Sequence, residues 1–172
     1  LEEISSFNGS ERLILKPAVS GGSRHTYVLT KDNIKAHEKV YSELIKSESM
    51  LLQPFIKSIL SSGEASHIFF NGNYSHSILK KAKPGDFRVQ DQWGGSFSLF
   101  EASPDDISFS EKVLSSCWEM PVYARVDHVW LDSGEPALAE LEVIEPELWF
   151  RTKKGSADIL ADAVVEILEN IS

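Results

Sequence analysis

Apolar and polar residues alternate along this chain in short runs whose spacing changes several times between strand-like and helix-like. An apolar run at residues 13–15 ends at Pro17, and a second strand-like run covers residues 26–30. Between them lies the loop Ser20-Gly21-Gly22-Ser23, so the pattern predicts a hairpin with a glycine-bearing tip. Residues 32–46 then place apolar side chains at mostly helical spacing among Lys and Glu, which predicts an amphipathic helix.

Strand periods return from residue 50 onward. The runs at residues 50–56, 65–70 and 74–81 predict an antiparallel meander, and Asn71-Gly72 between the last two is a preferred two-residue hairpin turn. A helical stretch follows, with Ser103-Pro104-Asp105-Asp106 as its N-terminal signature, and we expect it to reach Trp118.

The last third of the chain predicts another hairpin and a final helix. Residues 122–131 and 137–144 both alternate, and the turn residues between them centre near Ser133 or Gly134. Apolar residues at i, i+4 and i+7 spacing follow Ser156, where a helix can begin. Strands and helices in this order predict an α+β fold with mostly antiparallel pairing.

Composition narrows the range of partners. The chain has 172 residues and a formal net charge of −9, which argues against nucleic acid as a partner. No apolar run approaches the roughly 20 residues needed to cross a bilayer, so we expect no membrane partner and a cytoplasmic location. The oligomeric state cannot be predicted from these features.

Charged residues gather on one face of the last predicted hairpin. Tyr123, Arg125 and Asp127 share a face by the period of two, and Glu140 and Glu142 share a face of the returning strand. The expected register places Asp127 opposite Glu140 or Glu142. Like charges at such positions need protonation or a cation, and Mg²⁺, with Mn²⁺ as an alternative, suits oxygen ligands. The other interpretation is a solvated or salt-bridged patch around Arg125.

Two loops could bind anions. Lys16 precedes the flexible loop with Ser20, Gly21 and Gly22, whose backbone N–H groups could fold over phosphates, although neither a P-loop nor a Rossmann fingerprint is present. The basic loop from Lys80 through Arg88 to Gly94-Gly95 could do the same, or could simply be solvated.

Taken in order, these segments resemble the ATP-grasp fold, in the branch of glutathione synthetase and the amino-acid ligases. Residues 15–26 look like the phosphate-grasping hairpin, which implies that Lys16 binds ATP phosphates and that Ser20, Gly21 and Gly22 cover them. Residues 52–56 resemble the hinge that reads adenine, and Glu64 begins the next strand of the nucleotide site. The implied adenine-reading residues are Gln53, Pro54, Phe55 and Ile56.

The resemblance also implies roles in the second half of the chain. Arg88 would stabilise an acyl-phosphate, and the loop at Gly94 and Gly95 would cover the acceptor. Arg125, beside the carboxylates of the hairpin, suits an anion and would be the second catalytic residue. The family's metal-binding hairpin matches Asp127, Glu140 and Glu142 as Mg²⁺ ligands. The family usually has Asn where this chain has Glu142, which adds negative charge to the expected metal site.

The implied architecture has antiparallel sheets with flanking helices in two lobes, residues 1–50 and 51–172, with Mg-ATP between them. By this resemblance, we expect these 172 residues to lack the N-terminal domain of the family's complete enzymes. The implied function is ATP-dependent ligation of a small-molecule carboxylate to an amine through an acyl-phosphate.

Two other functions are compatible with the sequence. One is a nucleotide-binding module that keeps the fold without turnover. The other is a metal-dependent hydrolase built on the same carboxylates, against which stands the lack of a ligand spacing among the five histidines.

Overall fold

The first part of the chain folds as a three-stranded antiparallel sheet with one helix, in a computed structural model that describes residues 10–171. The sheet has the order β2-β1-β3, and each strand pairs antiparallel to its neighbour. The elements are β1 (Arg12–Pro17), β2 (Tyr27–Thr30), α1 (Ile34–Leu44) and β3 (Met50–Pro54). Leu13, Leu15 and Leu29 are buried together with Ile34 of α1, so the helix covers that face of the sheet.

The predicted place of β3 is wrong. The sequence pattern puts residues 50–56 in the meander with the later strands, whereas β3 pairs with β1 and the chain divides into two units after Ile56. The boundary therefore falls one strand later than the expected lobes of residues 1–50 and 51–172. The physical reason is that β1 is almost wholly buried, so hydrogen-bonding groups on both of its edges need partners, and β2 supplies only one edge.

The second unit is a five-stranded antiparallel sheet with two long helices. The strand order is β6-β5-β4-β7-β8. The elements are β4 (Glu64–Phe70), β5 (Asn73–Lys81), β6 (Ser96–Phe100), α2 (Pro104–Leu114), β7 (Tyr123–Trp130), β8 (Pro136–Glu142) and α3 (Ser156–Ile171). The predicted turn at Asn71-Gly72 is confirmed, since both residues have positive φ, at 47° and 75°.

The central strands β4 and β7 are buried on both faces because each face carries its own apolar cluster. Phe69 packs with Leu114 of α2 on one face, and Ile68 and Phe70 pack with Ala163 of α3 on the other. The α+β class with antiparallel sheets and flanking helices is thus confirmed. Among the helices of residues 10–171, none combines the length and apolarity that a bilayer crossing requires.

Helix α2 begins as predicted and ends early. Ser103 and Asp106 form a reciprocal capping box at its N-terminus. The sequence predicts a helix as far as Trp118, but α2 stops at Leu114, and the Trp118 side chain is 99% exposed. Ser115 and Ser116 donate their hydroxyls to carbonyls three residues earlier, an alternative to continued helical bonding that tightens the chain into a turn.

Candidate functional site

A β-bulge decides which side chains share a face of the β7–β8 hairpin. Near the turn the register pairs His128 with Leu138, and if it continued Asp127 would face Ala139. The register instead shifts between Asp127 and His128, so that Asp127 lies opposite Glu140 and Arg125 opposite Glu142. An extra residue on one strand reverses the facing of everything beyond it. The prediction that Asp127 lies opposite Glu140 or Glu142 is therefore confirmed with Glu140 as the partner, and the bulge produces this pairing.

The Asp127 carboxylate is fully buried and bound by two cations. Its Oδ2 accepts a hydrogen bond from Lys80 Nζ at 2.8 Å. Arg125 donates from Nε to Oδ1 and from Nη2 to Oδ2, both at 2.9 Å. These are charge-assisted bonds in a water-poor environment, the strong class of hydrogen bond.

Further carboxylates extend this arrangement into an ionic cluster on one face of the sheet. Lys80 also pairs with Glu64, Arg125 donates to Glu142 Oε1 at 2.5 Å, and Glu140 Oε2 lies 3.6 Å from Arg125 Nη2. The members of the ionic cluster are Glu64, Lys80, Arg125, Asp127, Glu140 and Glu142. Four carboxylates against two cations leave the cluster with a formal charge of −2 when all are ionised.

The pKa shifts follow from burial and from this charge pattern. Burial alone would raise the pKa of Asp127, but Lys80 and Arg125 outweigh it and hold that pKa below its ordinary value. Burial raises the pKa of Glu64 even though Lys80 opposes the shift. Burial, reinforced by the carboxylates of Glu142 and Asp127, also raises the pKa of Glu140. The cluster therefore has uncompensated negative charge at its Glu140 end.

The chemistry of this cluster fits a hard divalent cation, because its acidic groups are all oxygen donors and a +2 ion would offset their excess charge. Glu140 is the most accessible, with 56% of its side chain exposed against 31% for Glu142. Across residues 10–171, no three His, Cys, Asp or Glu side chains converge as they stand into a group that could hold a metal ion. Asp127, Glu140 and Glu142 as a ligand set stay a prediction.

In the first unit, two of the predicted nucleotide residues lie on the same face. Ile14 pairs with Gln53 and Lys16 with Leu51, so Lys16 and Gln53 are diagonal neighbours on the sheet face opposite α1. The half-buried Lys16 side chain thus lies beside the segment expected to read adenine. Their roles in nucleotide binding stay predictions.

The segment after Gln53 is already partly used by the fold. The Phe55 N–H donates to the Arg12 carbonyl at 3.1 Å, and the Arg12 guanidinium lies 5.9 Å from the Phe55 ring centre. Pro54 has no N–H to offer, and it and Ile56 are half-buried. Carbonyl oxygens are therefore the backbone groups that this segment could most readily present to an adenine edge.

Hydrogen bonds of Arg24 and Ser20, on either side of the two glycines, hold the loop at residues 20–25 in place. Arg24 donates to both carboxylate oxygens of Glu48, at 2.9 and 2.6 Å, and to the Val19 carbonyl. Ser20 donates its hydroxyl to the Arg24 carbonyl. Gly21 has open space where a Cβ would be, and Gly22 has a φ of 58°. Ser20, Gly21 and Gly22 are all exposed.

Arg88 is held in the loop of residues 84–95 by ionic and aromatic contacts. Asp86 accepts from its Nε at 2.9 Å and from Nη2 at 2.7 Å, and the guanidinium lies 3.6 Å from the Trp93 ring centre. The Gly94 N–H closes a short 3-10 turn, and a Cβ on Gly95 would meet the Val89 carbonyl oxygen at 2.1 Å. Both glycines thus shape the loop, and their expected cover of an acceptor stays a prediction.

Lys80 and Trp149 belong to the site around the ionic cluster, although the sequence alone does not place them there. The sequence pattern shows Lys80 only as one cation of a basic loop, yet it is the last-but-one residue of β5 and is directly opposite Glu64 in the register. Unlike charges that face each other at the ends of a predicted hairpin favour an ion pair, so the sequence pattern could have predicted the contact of Lys80 with Glu64. Trp149 lies beneath Arg125 and Lys80, and nothing in the sequence indicates that contact.

Comparisons with curated proteins and with solved structures both found similar proteins. The cycloserine biosynthesis protein DcsG of Streptomyces lavendulae is 29% identical over 133 residues, covering 73% of this chain and 44% of that protein. The crystal structure of the D-cycloserine synthetase DcsG superposes with a TM-score of 0.79 at 23% identity, over 97% of this chain. A D-alanine–D-alanine ligase from Bacillus anthracis gives 0.64 at 20% identity over 96% of this chain, and the ATP-grasp ligase PsnB gives 0.63 at 15% over 94%.

These similarities cover only part of each relative. The chain spans 59% of the DcsG structure, 56% of the B. anthracis ligase and 50% of PsnB. No family model matches the chain.

Proposed function

We propose, from the ATP-grasp fold that this chain shares with those ligases, that it carries the ATP-dependent step of a carboxylate–amine ligase. The observation that carries the proposal is the bulged β7–β8 hairpin, which gathers Asp127, Glu140 and Glu142 on one face around Arg125. This face has both excess negative charge and two buried cations. It suits a metal–triphosphate complex, because the carboxylates would attract the metal ion and the two cations would attract the phosphates.

The acidic residues would hold Mg²⁺ or Mn²⁺. Glu140 and Glu142 are accessible, and the fully buried Asp127 anchors the cations between them and the core. When bound, the ion would neutralise charge on the β- and γ-phosphates of ATP. Glu142 in place of the family's Asn adds one charge to this set.

Lys80 and Arg125 would bind phosphate oxygens. Burial alone would lower the pKa of each, but adjacent carboxylates outweigh it and raise both pKa values, so both side chains are fully charged near neutral pH. A buried cation stabilises developing phosphate charge more strongly than an exposed one, because little water competes for it. The family resemblance separately assigns phosphate contacts to Lys16, Ser20, Gly21 and Gly22.

The proposed reaction has two balanced steps. An oxygen of a substrate carboxylate attacks the γ-phosphorus of ATP, the bond to the β,γ-bridging oxygen breaks, and ADP leaves with an acyl-phosphate formed. The amine nitrogen of the second substrate then attacks the acyl carbon, inorganic phosphate leaves, and the nitrogen loses a proton. Arg88, oriented by Asp86, would stabilise the acyl-phosphate, and the Gly94-Gly95 loop would limit its hydrolysis.

The substrate class follows by analogy with the relatives. A D-alanine–D-alanine ligase and a D-cycloserine synthetase are named for amino acids or a product related to them. We therefore propose an amino acid or a similar small molecule as the carboxylate substrate, and a small amine as its partner.

Calorimetric titration with the non-hydrolysable analogue AMP-PNP tests the metal assignment. Wild-type protein should bind AMP-PNP with Mg²⁺, and Glu140→Gln should weaken that binding about tenfold or more, since one ion ligand is lost. Glu135→Gln, an exposed residue of the same hairpin turn, is the matched control and should bind as wild type does. Equal binding by both variants would remove Glu140 from the metal site.

A nucleotide-binding module without turnover is the second candidate. The observation that favours it is that Asp127 is already bound by Lys80 and Arg125, an arrangement complete without a metal. The two functions differ in ADP release. The ligase should release ADP over many turnovers only when a carboxylate and an amine substrate are both supplied, since the carboxylate alone allows one ADP per acyl-phosphate formed. The module should bind ATP with no substrate-dependent ADP release.

A further inference from the structure

Trp149 lies beneath both cations of the ionic cluster. The centre of its indole ring is 5.5 Å from the Arg125 guanidinium carbon and 5.9 Å from Lys80 Nζ. Both distances fall within the range of cation–π attraction, for which Trp is the strongest aromatic partner. The Trp149 side chain is only 6% exposed, so water weakens these contacts little.

The backbone around Trp149 is fixed in an unusual conformation. Its φ is 45°, which is left-handed and uncommon for a bulky residue. The Trp149 N–H donates to Glu147 Oε1 at 2.6 Å, and the Trp149 carbonyl accepts from both the N–H and the hydroxyl of Thr152, each at 2.8 Å. His76 Nε2 and the Leu148 carbonyl oxygen lie 3.1 Å apart. These bonds hold the indole ring in place against the strained backbone.

An indole face holds a cation differently from a carboxylate. It stabilises the charge without accepting the directional N–H bonds, so the ring itself takes up none of the Lys80 and Arg125 donors that an incoming anion would use. Asp127, Glu140 and Glu142 would change their partners when a metal binds, whereas the ring contact would persist. Two like charges held over one ring would then converge on one anionic group.

The geometry points to Trp149 as a positioning residue that keeps Lys80 and Arg125 directed at the β- and γ-phosphates of ATP. The role rests on the proposed function, because it assumes that a nucleoside triphosphate is the anion. Trp149 is also part of the apolar cluster with Ile68 and Phe70. The test must therefore separate positioning from packing.

The experiment compares AMP-PNP with AMP, both with Mg²⁺, by calorimetry on Trp149→Leu and Trp149→Phe. AMP lacks the β- and γ-phosphates that Lys80 and Arg125 would contact. We expect Trp149→Leu to weaken AMP-PNP binding about tenfold and Trp149→Phe about threefold, since Phe retains a weaker cation–π face. The affinity for AMP should stay within about twofold of wild type in both variants, because the two cations would contact only the β- and γ-phosphates, which AMP does not have.

Two controls address packing. Phe97→Leu alters a ring that packs on Trp149 at 6.2 Å, and Trp130→Phe alters an indole whose N–H bonds Asp106. Both should bind AMP-PNP as wild type does, even if their melting temperatures fall. If Trp149→Leu does not fold, the Phe variant against Phe97→Leu still decides the question.

Three outcomes would overturn an assignment. Wild-type AMP-PNP affinity retained in the Trp149 variants would overturn the positioning role alone. Equal loss of AMP and AMP-PNP affinity would also overturn it, since packing then explains the effect. A wild-type protein that does not bind AMP-PNP would instead overturn the proposed function, and the positioning role with it.

Discussion

Asp127 binds two buried cations, so loss of its negative charge should destabilise the ionic cluster more than loss of any other carboxylate charge. Replacement by Asn would leave Lys80 and Arg125 buried with weaker neutral partners in place of a carboxylate. Breaking a buried ion pair by removing one partner typically costs about 3–5 kcal/mol. We expect Asp127→Asn to lower the free energy of unfolding by about 3 kcal/mol, measured by urea denaturation.

The matched control for that substitution is Asp132→Asn, at an exposed position in the turn of the same hairpin. Its effect should stay within about 0.5 kcal/mol, as is usual for surface substitutions. A similar loss in both variants would show that the hairpin itself, and not the buried charge, is sensitive to Asp-to-Asn changes.

His67 is buried on the face of the sheet opposite the ionic cluster. Burial, as the main cause, and the nearby His128, as the second cause, lower the pKa of His67 to about 4. The unfolded chain binds a proton at this residue below its ordinary pKa of 6.5, whereas the folded chain does so only below about 4. Stability should therefore fall as the pH drops from 6.5 toward 4, by up to about 3 kcal/mol from this residue.

The variant His67→Asn tests this pH dependence. An amide does not titrate in this range and can still bond Ser77 Oγ, which lies 2.6 Å from His67 Nδ1. The free energy of unfolding, measured in urea at several pH values, should change less steeply in this variant. His25→Asn alters an exposed loop histidine and should keep the wild-type slope. An unchanged slope in His67→Asn would contradict the assignment.

At the scale of elements, the β7–β8 hairpin shows what the sequence can and cannot predict. Alternation places Arg125 and Asp127 on one face and Glu140 and Glu142 together, and the structure confirms both pairs. The bulge at Ala139 is not predictable from alternation, because an extra residue leaves the period intact on either side of it. The sequence predicts that Asp127 faces a glutamate on the assumption of a turn centred near Ser133 or Gly134. In the structure, the register next to the turn would, without the bulge, place Glu140 and Glu142 on the other face of the sheet.

Long-range contacts account for the other differences. The apolar pattern of β3 is the same whether it pairs with β1 or with β4, so periodicity cannot choose between the two sheets. Lys80 and Trp149 reach the site through neighbours far away in sequence. Local pattern has no access to such contacts, although it predicts the strands that carry them.

Gly95, in the loop of residues 84–95, and Gly21, in the loop of residues 20–25, offer a matched pair of glycine substitutions. A Cβ on Gly95 would lie 2.1 Å from the Val89 carbonyl oxygen, whereas one on Gly21 would meet no atom within 4 Å. Overpacking against backbone typically costs about 1–3 kcal/mol, so Gly95→Ala should destabilise by that amount and displace the Arg88 segment. Gly21→Ala should be neutral or slightly stabilising. Thermal and urea unfolding of both variants measure the difference, and equal stabilities would contradict the close contact.

At the scale of the whole molecule, the order of elements carries more information than any single motif. Lys16 with its glycine loop, Arg88 with Gly94-Gly95, and the acidic hairpin are each common features of unrelated proteins. The order of the strands and helices along the chain is what the similar solved structures share with it, with TM-scores of 0.63–0.79 at identities of 15–23%. Topology therefore survives where side chains have changed, and the site must be tested residue by residue.

Charge at the same scale makes nucleotide binding depend on a divalent ion. The protein has a formal net charge of −9 and the ionic cluster −2, so a free triphosphate would meet a repulsive field. We expect AMP-PNP binding to weaken about tenfold or more when Mg²⁺ is replaced by a chelator at constant ionic strength, and to return with Mn²⁺. Added NaCl in place of the divalent salt is the control, because general screening cannot replace an ion held by carboxylates. Restoration of binding by NaCl alone would show that Asp127, Glu140 and Glu142 act only through their field and hold no metal.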